Sequence, residues 1–247
     1  MKPKPPESPE DIYPQLLKEL QEILGEDLLG VAVFGSAAGG RYIKGRSDIN
    51  LMILKQDDAG HRLARLMPFC ERWAPAGVAA PLVVTPQYLA ASRDVFPIEL
   101  LVMSAEHKRL FGQDPLADIS IEPDLLRLQL ERELKAKLMA MRGRLLISGG
   151  RKDDLKRLMA EALPAFTALF KAYLYLVNQE FPKHPASVLE AMVAAGVNLD
   201  AFRLMDRVRA GDLKLSAGQM AEVVEKALAQ LDDLSKNVDQ LDTAKES

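Results

Sequence analysis

The 247 residues hold only one cysteine, one tryptophan and three histidines, so the side chains that build disulfides and most zinc centres are scarce. Cys70 is alone, which excludes an intrachain disulfide and gives no sign of an oxidising compartment. Its neighbours Phe69 and Trp73 suggest a core position. His61, His107 and His184 are scattered with no ligand spacing, so no zinc site is assigned. No apolar run approaches the roughly 20 residues that a membrane-spanning helix needs. An excess of basic charge is also lacking. The 32 Lys and Arg against 35 Asp and Glu leave a formal net charge of -3, which disfavours a dedicated nucleic-acid binder. The first ten residues, MKPKPPESPE, lack the apolar core of an export signal and read as a disordered leader over residues 1–9. A cytoplasmic home is the expectation.

What remains is an ordinary globular composition, 48% hydrophobic and 27% charged, long enough for one large domain or two of ordinary size. Ser8-Pro9-Glu10-Asp11 has the form of a helix start, followed by Ile12, Leu16, Leu20 and Ile23 at helical spacing and a stop at Gly25. Leu28 to Phe34 and Ile49 to Leu54 are continuous apolar runs of strand length, as in strands buried on both faces. The pattern predicts a helix over Asp57–Trp73, with Leu63, Leu66 and Met67 on one side, and a third strand over Pro81–Thr85. A helical turn follows from Thr85-Pro86, then a fourth strand over Pro97–Met103 carrying Glu99, and a short helix over Ser104–Phe111 closed by Gly112. This alternation implies an α/β sheet over residues 10–114.

The character changes between residues 113 and 123. From Pro123 onward only long helical patterns appear, and residues 120–247 read as an all-α helical bundle. Leu126, Leu130, Leu134, Leu138, Met141 and Leu145 form one stripe. Phe166, Phe170, Tyr173 and Val177 form a second, on a helix over 153–180, and a last helix spans 217–241. The aromatic stripe reads as bundle core. The last helix could seam a homodimer or pack within its own bundle.

The chemistry concentrates in Gly30 to Leu54, GVAVFGSAAGGRYIKGRSDINLMIL. A strand leads to Gly35-Ser36, where glycine allows close backbone approach to a phosphate and serine can donate a hydrogen bond. Asp48 and Asn50 open the next strand, two residues apart and so on one face. Glu99, placed in a strand among apolar neighbours, is either a burial problem or a ligand. If the strands are adjacent, Asp48, Asn50 and Glu99 converge as oxygen ligands suited to Mg²⁺ or Mn²⁺. Arg41, Lys44 and Arg46 could neutralise phosphates or simply be solvated. The basic stretch from Arg132 to Arg157 could receive a triphosphate or RNA, but a solvated face and helix-dipole complement explain it more simply.

Gly-Ser, a spacer of about ten residues, Asp-x-Asp at a strand and a further acid in a later strand form the pattern that this segment resembles. It is that of the DNA polymerase β-like nucleotidyltransferase superfamily. FPIELLVMSAEHKRLFGQDPL and ERELKAKLMAMRGRLL resemble small bacterial two-domain members, among them aminoglycoside nucleotidyltransferase relatives. The resemblance implies a mixed sheet with flanking helices and a helical C-terminal domain. It also implies a nucleoside triphosphate (ATP, for instance) bound with Mg²⁺, and transfer of a nucleoside monophosphate to a hydroxyl, for which a small molecule is the expected acceptor. On this reading Asp48 and Glu99 are catalytic. The metal ligands are Asp48, Asn50 and Glu99, and the phosphates meet Gly35, Ser36, Arg41, Lys44 and Arg46. Asn50 departs from the pattern, because its amide can ligate a cation but brings no charge and accepts no proton. It motivates the alternative reading, a degenerate member that keeps the fold as a nucleotide-binding or protein-interaction module.

Overall fold

In the computed structural model, which describes residues 3–56, 63–177, 182 and 185–241, the chain divides into two units, Met1–Ile121 and Glu122–Ser247. The first unit starts with a capping box at Ser8 and a 3₁₀ turn, Pro9–Asp11, that leads into helix α1 (Tyr13–Leu24). Tyr13, Leu16, Leu20 and Leu24 are its buried side, and Gly25 ends it with a φ of 57°. The segment expected to be a disordered leader is tied down in part. Pro9 is buried, the Pro6 carbonyl accepts from the Tyr42 hydroxyl, and Glu7 pairs with Lys44.

Strands β1 (Leu28–Phe34), β2 (Asn50–Lys55), β3 (Leu82–Val84) and β4 (His107–Gly112) form a mixed sheet in the order β3-β2-β1-β4. β1 pairs antiparallel with both β2 and β4, while β2 and β3 run parallel. One face carries Val31, Val33, Ile49, Leu51 and Ile53. It packs on α1 and on helix α2 (Met67–Trp73), where Phe69 and Trp73 are buried. Each large side chain taken fully out of water contributes about 1.5–3 kcal/mol, so this layer carries much of the unit's stability. The Trp73 indole donates to the Glu19 carboxylate at 2.9 Å, and the Arg72 guanidinium lies 5.7 Å from the Trp73 ring centre. β1 and β4 approach so closely that a Cβ on Gly30 would lie 2.0 Å from the Gln113 carbonyl oxygen, and one on Gly112 would lie 2.1 Å from that of Leu29. No side chain fits at either position.

Two expected elements are exchanged. Pro97–Ala105 is helix α4 and His107–Gly112 is strand β4, the reverse of the assignments made from the pattern. Pro97 occupies the first turn of α4, where its missing N–H costs nothing, and Glu99 sits near the positive end of the helix dipole. Ile98, Leu100 and Leu101 are buried, and a short apolar run of this kind fits a buried helix as well as a strand. β4 is an edge strand with Lys108 and Arg109 exposed, and edge charges of this kind block further pairing. The turn expected at Thr85-Pro86 is helix α3 (Pro86–Ala91), with the Thr85 hydroxyl accepting from the Tyr88 N–H at 3.0 Å. The helix expected from Asp57 begins outside the described residues. Residues Leu63–Leu66 are 3₁₀, and Leu63 and Met67 are exposed instead of facing the core.

The second unit is all-α among its described residues: α5 (Pro123–Ser148), α6 (Lys152–Leu176), α7 (Pro185–Ala194), α8 (Asp200–Ala210) and α9 (Ala217–Asp239). Leu126, Leu130, Leu134, Leu138 and Met141 line the buried side of α5. Phe166 and Phe170 of α6 meet Phe202 of α8 edge-on, with ring centres 5.6 and 5.3 Å away. The aromatic stripe is therefore bundle core. A capping box at Ser216 and Gln219 starts α9. The chain thus joins a mixed α/β sheet layer to a helical bundle. Among the described residues no helix is long and apolar enough to cross a membrane.

Candidate functional site

Antiparallel pairing of β1 with β2 places the end of one strand beside the start of the other. Phe34 stands opposite both Asn50 of β2 and His107 of β4. The Gly35-Ser36 turn, the Asp48–Asn50 segment and the residue before β4 therefore meet at one end of the sheet. Gly35 has a φ of 75°, the left-handed region where other residues are strained, and a Cβ on it would lie 3.6 Å from the Asn50 side-chain nitrogen. Its N–H donates to the Glu106 carbonyl at 2.9 Å. Its carbonyl accepts from the Ala38 and Gly39 N–H groups, and Ser36 is half-buried in the turn.

Ile49 is fully buried on the α1 side and bridges Val78, so its neighbours Asp48 and Asn50 are directed to the other side of the sheet. Asp48 is exposed and Asn50 half-buried. Glu99 is not on a strand. It lies in the first turn of α4 and lines a cavity with Met52, which is one pleat along β2 from Asn50 on the same face. β3, the strand parallel to β2, reads Leu82-Val83-Val84 and carries no acid. Among the described residues no three His, Cys, Asp or Glu side chains gather as a metal-binding group.

The three cations expected at phosphate have different surroundings. Arg41 is held by the Glu106 carboxylate, which is almost completely buried, and Lys44 pairs with Glu7. Arg46 is exposed, with no ion pair among the described residues. Burial pushes the Tyr42 phenol up, with Lys44 opposing, so it stays neutral beside this loop.

Glu106 is the residue that sequence reasoning missed. Its backbone holds Gly35 and its carboxylate holds Arg41. A Cβ on Gly39 would come within 2.9 Å of that carboxylate and 2.8 Å of Arg41. It fastens both ends of the Gly-rich connector to the start of β4. The signal was an acid just before a strand, and it was hidden because His107–Gly112 reads as a helix.

The basic stretch of the second unit is largely neutralised from within. Arg132, Lys135, Arg142, Arg144, Arg151 and Arg157 pair with Glu133, Glu131, Asp232, Glu161 and Asp154. This matches a solvated, self-paired face.

No family model matches the chain, and no curated protein matches it in sequence. Among solved structures it is similar to spectinomycin adenyltransferase AAD(9) from Enterococcus faecialis with ATP and spectinomycin. The identity is 11% and the TM-score 0.50, over 89% of this chain and 98% of that one. At that identity the likeness is one of fold alone.

Proposed function

We propose that the first unit is a nucleotidyltransferase-fold module that binds a nucleoside triphosphate at the Gly35-Ser36 turn without carrying the metal-dependent transfer. The observation that carries this reading is Asn50. It stands opposite Phe34 and against Gly35, where the superfamily pattern has its second carboxylate, so the site offers the charge of Asp48 beside a neutral amide. Mg²⁺ is the implied ion, and it is held through one or two carboxylates plus substrate phosphates. One exposed carboxylate does not fit a resident ion, and Glu99 sits on a helix beside an apolar cavity. The nucleotide reading is supported by the likeness to a protein whose structure holds ATP, by the close approach that Gly35 allows, and by the exposed Arg46 in the connector that follows.

The test is calorimetric titration of ATP with and without Mg²⁺, alongside pyrophosphate release over a panel of hydroxyl-bearing small molecules. The expected result is binding with little metal dependence and no release. Pyrophosphate release that disappears in Asp48→Ala would overturn this reading and establish a transferase. In that case Asp48, Asn50 and Glu99 would be its metal ligands and a small molecule its acceptor.

A further inference from the structure

The connector between Gly35-Ser36 and Asp48 is held both from within and from outside. Within it, the Arg41 N–H donates to the Ser36 carbonyl at 2.9 Å, and the Ile43 N–H donates to the Ser47 hydroxyl at 3.0 Å. From outside, the segment ahead of α1 reaches it twice. The Tyr42 hydroxyl donates to the Pro6 carbonyl at 3.4 Å, and the Lys44 ammonium pairs with the Glu7 carboxylate. Burial pushes the Tyr42 phenol up, so it keeps its proton and remains a donor. The same segment also meets the edge strand, where Glu10 lies 3.8 Å from Lys108. Pro9 is buried and the Ser8 N–H donates to the Asp11 carboxylate at 3.0 Å, which anchors the chain immediately after Glu7.

Glu7 thus gives Lys44 an anionic partner from the protein's own chain. The Glu7 side chain is 82% exposed and that of Lys44 49%, so the pair is worth about 0.2–1 kcal/mol. A contact that weak yields to an anion of higher charge, and the released carboxylate returns to water at little cost. We infer that residues 6–10 form an autoinhibitory strap, in which Glu7 competes with the phosphates of a nucleoside triphosphate for Lys44. The inference rests on the nucleotide reading above and adds a control to that site.

The experiment titrates ATP calorimetrically into the full native chain, Glu7→Gln, Lys44→Ala and the double variant in low salt. Glu26→Gln, which removes the same charge from an exposed position after α1, is the control. Glu7→Gln is expected to bind ATP about two- to fivefold tighter than the native chain, and Glu26→Gln to match the native chain. Lys44→Ala should weaken binding and make Glu7→Gln silent in the double variant. In the native chain the Glu7 and Ser8 amide signals should move with those of Gly35 and Ser36 at the same ATP concentrations. Equal affinity of the native chain and Glu7→Gln overturns the strap and leaves nucleotide binding standing. So does a gain that Glu26→Gln shares or that survives Lys44→Ala, or Gly35 and Ser36 signals that move while Glu7 and Ser8 stay. Absence of ATP binding in every protein removes the nucleotide reading, and the strap with it.

Discussion

Replacing Asn50 with aspartate tests whether the two sides of the proposed site share one patch. Asp48 and Asn50 flank the buried Ile49, so their side chains are about 6.5–7 Å apart along the chain. Two negative charges at that separation repel by about 0.6 kcal/mol in water and about 2.5 kcal/mol at the effective dielectric of a protein surface. Asp48 is exposed and Asn50 half-buried, which sets the expected cost between these, at about 1 kcal/mol in low salt. That corresponds to a fall in the unit's melting temperature of roughly 4 °C, shrinking as salt screens the pair. Millimolar Mg²⁺ should restore the loss in Asn50→Asp and leave the native chain and Asn50→Ala unmoved. Trp73 reports on this unit directly, being the chain's sole tryptophan and only 1% exposed, so thermal melts followed by its fluorescence suffice. If Asn50→Asp melts with the native chain at low salt and ignores Mg²⁺, the side chains at 48 and 50 do not converge and the explanation through a missing charge fails.

Further consequences concern packing and pH. Gly30→Ala would drive a Cβ into the Gln113 carbonyl, so we expect a loss of roughly 3 kcal/mol by urea denaturation. Gly143→Ala, helical with open space around it, should gain about 0.5–1 kcal/mol. Phe202→Ala removes the ring that both Phe166 and Phe170 meet, and should cost the bundle about 3–5 kcal/mol by circular dichroism melts. Hydrogen bonding from Lys135, with Arg127 adding to it, holds the Glu131 carboxyl below its usual range. The stability it contributes is thus fully present above the ordinary glutamate value of about 4.3 and is lost as pH falls through its lower native one. Glu131→Gln should flatten that acid limb in pH-dependent melts and leave neutral-pH behaviour of the remaining pairs intact.

The alternating α/β pattern and the helical half were legible because they rest on periodicity. The i, i+4 stripe from Leu126 to Met141 is buried as its spacing requires. So were the strands at β1 and β2, apolar runs of strand length, the first closed by Gly35. Pro97–Gly112 was not legible. FPIELLVM lacks a periodicity that separates a buried helix from a strand, and His107-Lys108-Arg109 looks too charged for a strand until it is known to be at an edge. That exchange moved Glu99 off the sheet and concealed Glu106.

By itself the linear chain determined the glycine at the Gly35-Ser36 turn, the Asp48–Asn50 spacing and the neutral amide at position 50, since these depend on residue identity alone. Only the tertiary structure decided what those groups face. Strand order brought Glu106 under the Gly-rich connector and took Arg41 into an ion pair. Helix α4 placed Glu99 over an apolar cavity on Asn50's side of the sheet. The physical reason is that the β1–β4 partners lie 73 to 82 residues apart along the chain and Arg41 lies 65 from Glu106, beyond the reach of any local periodicity.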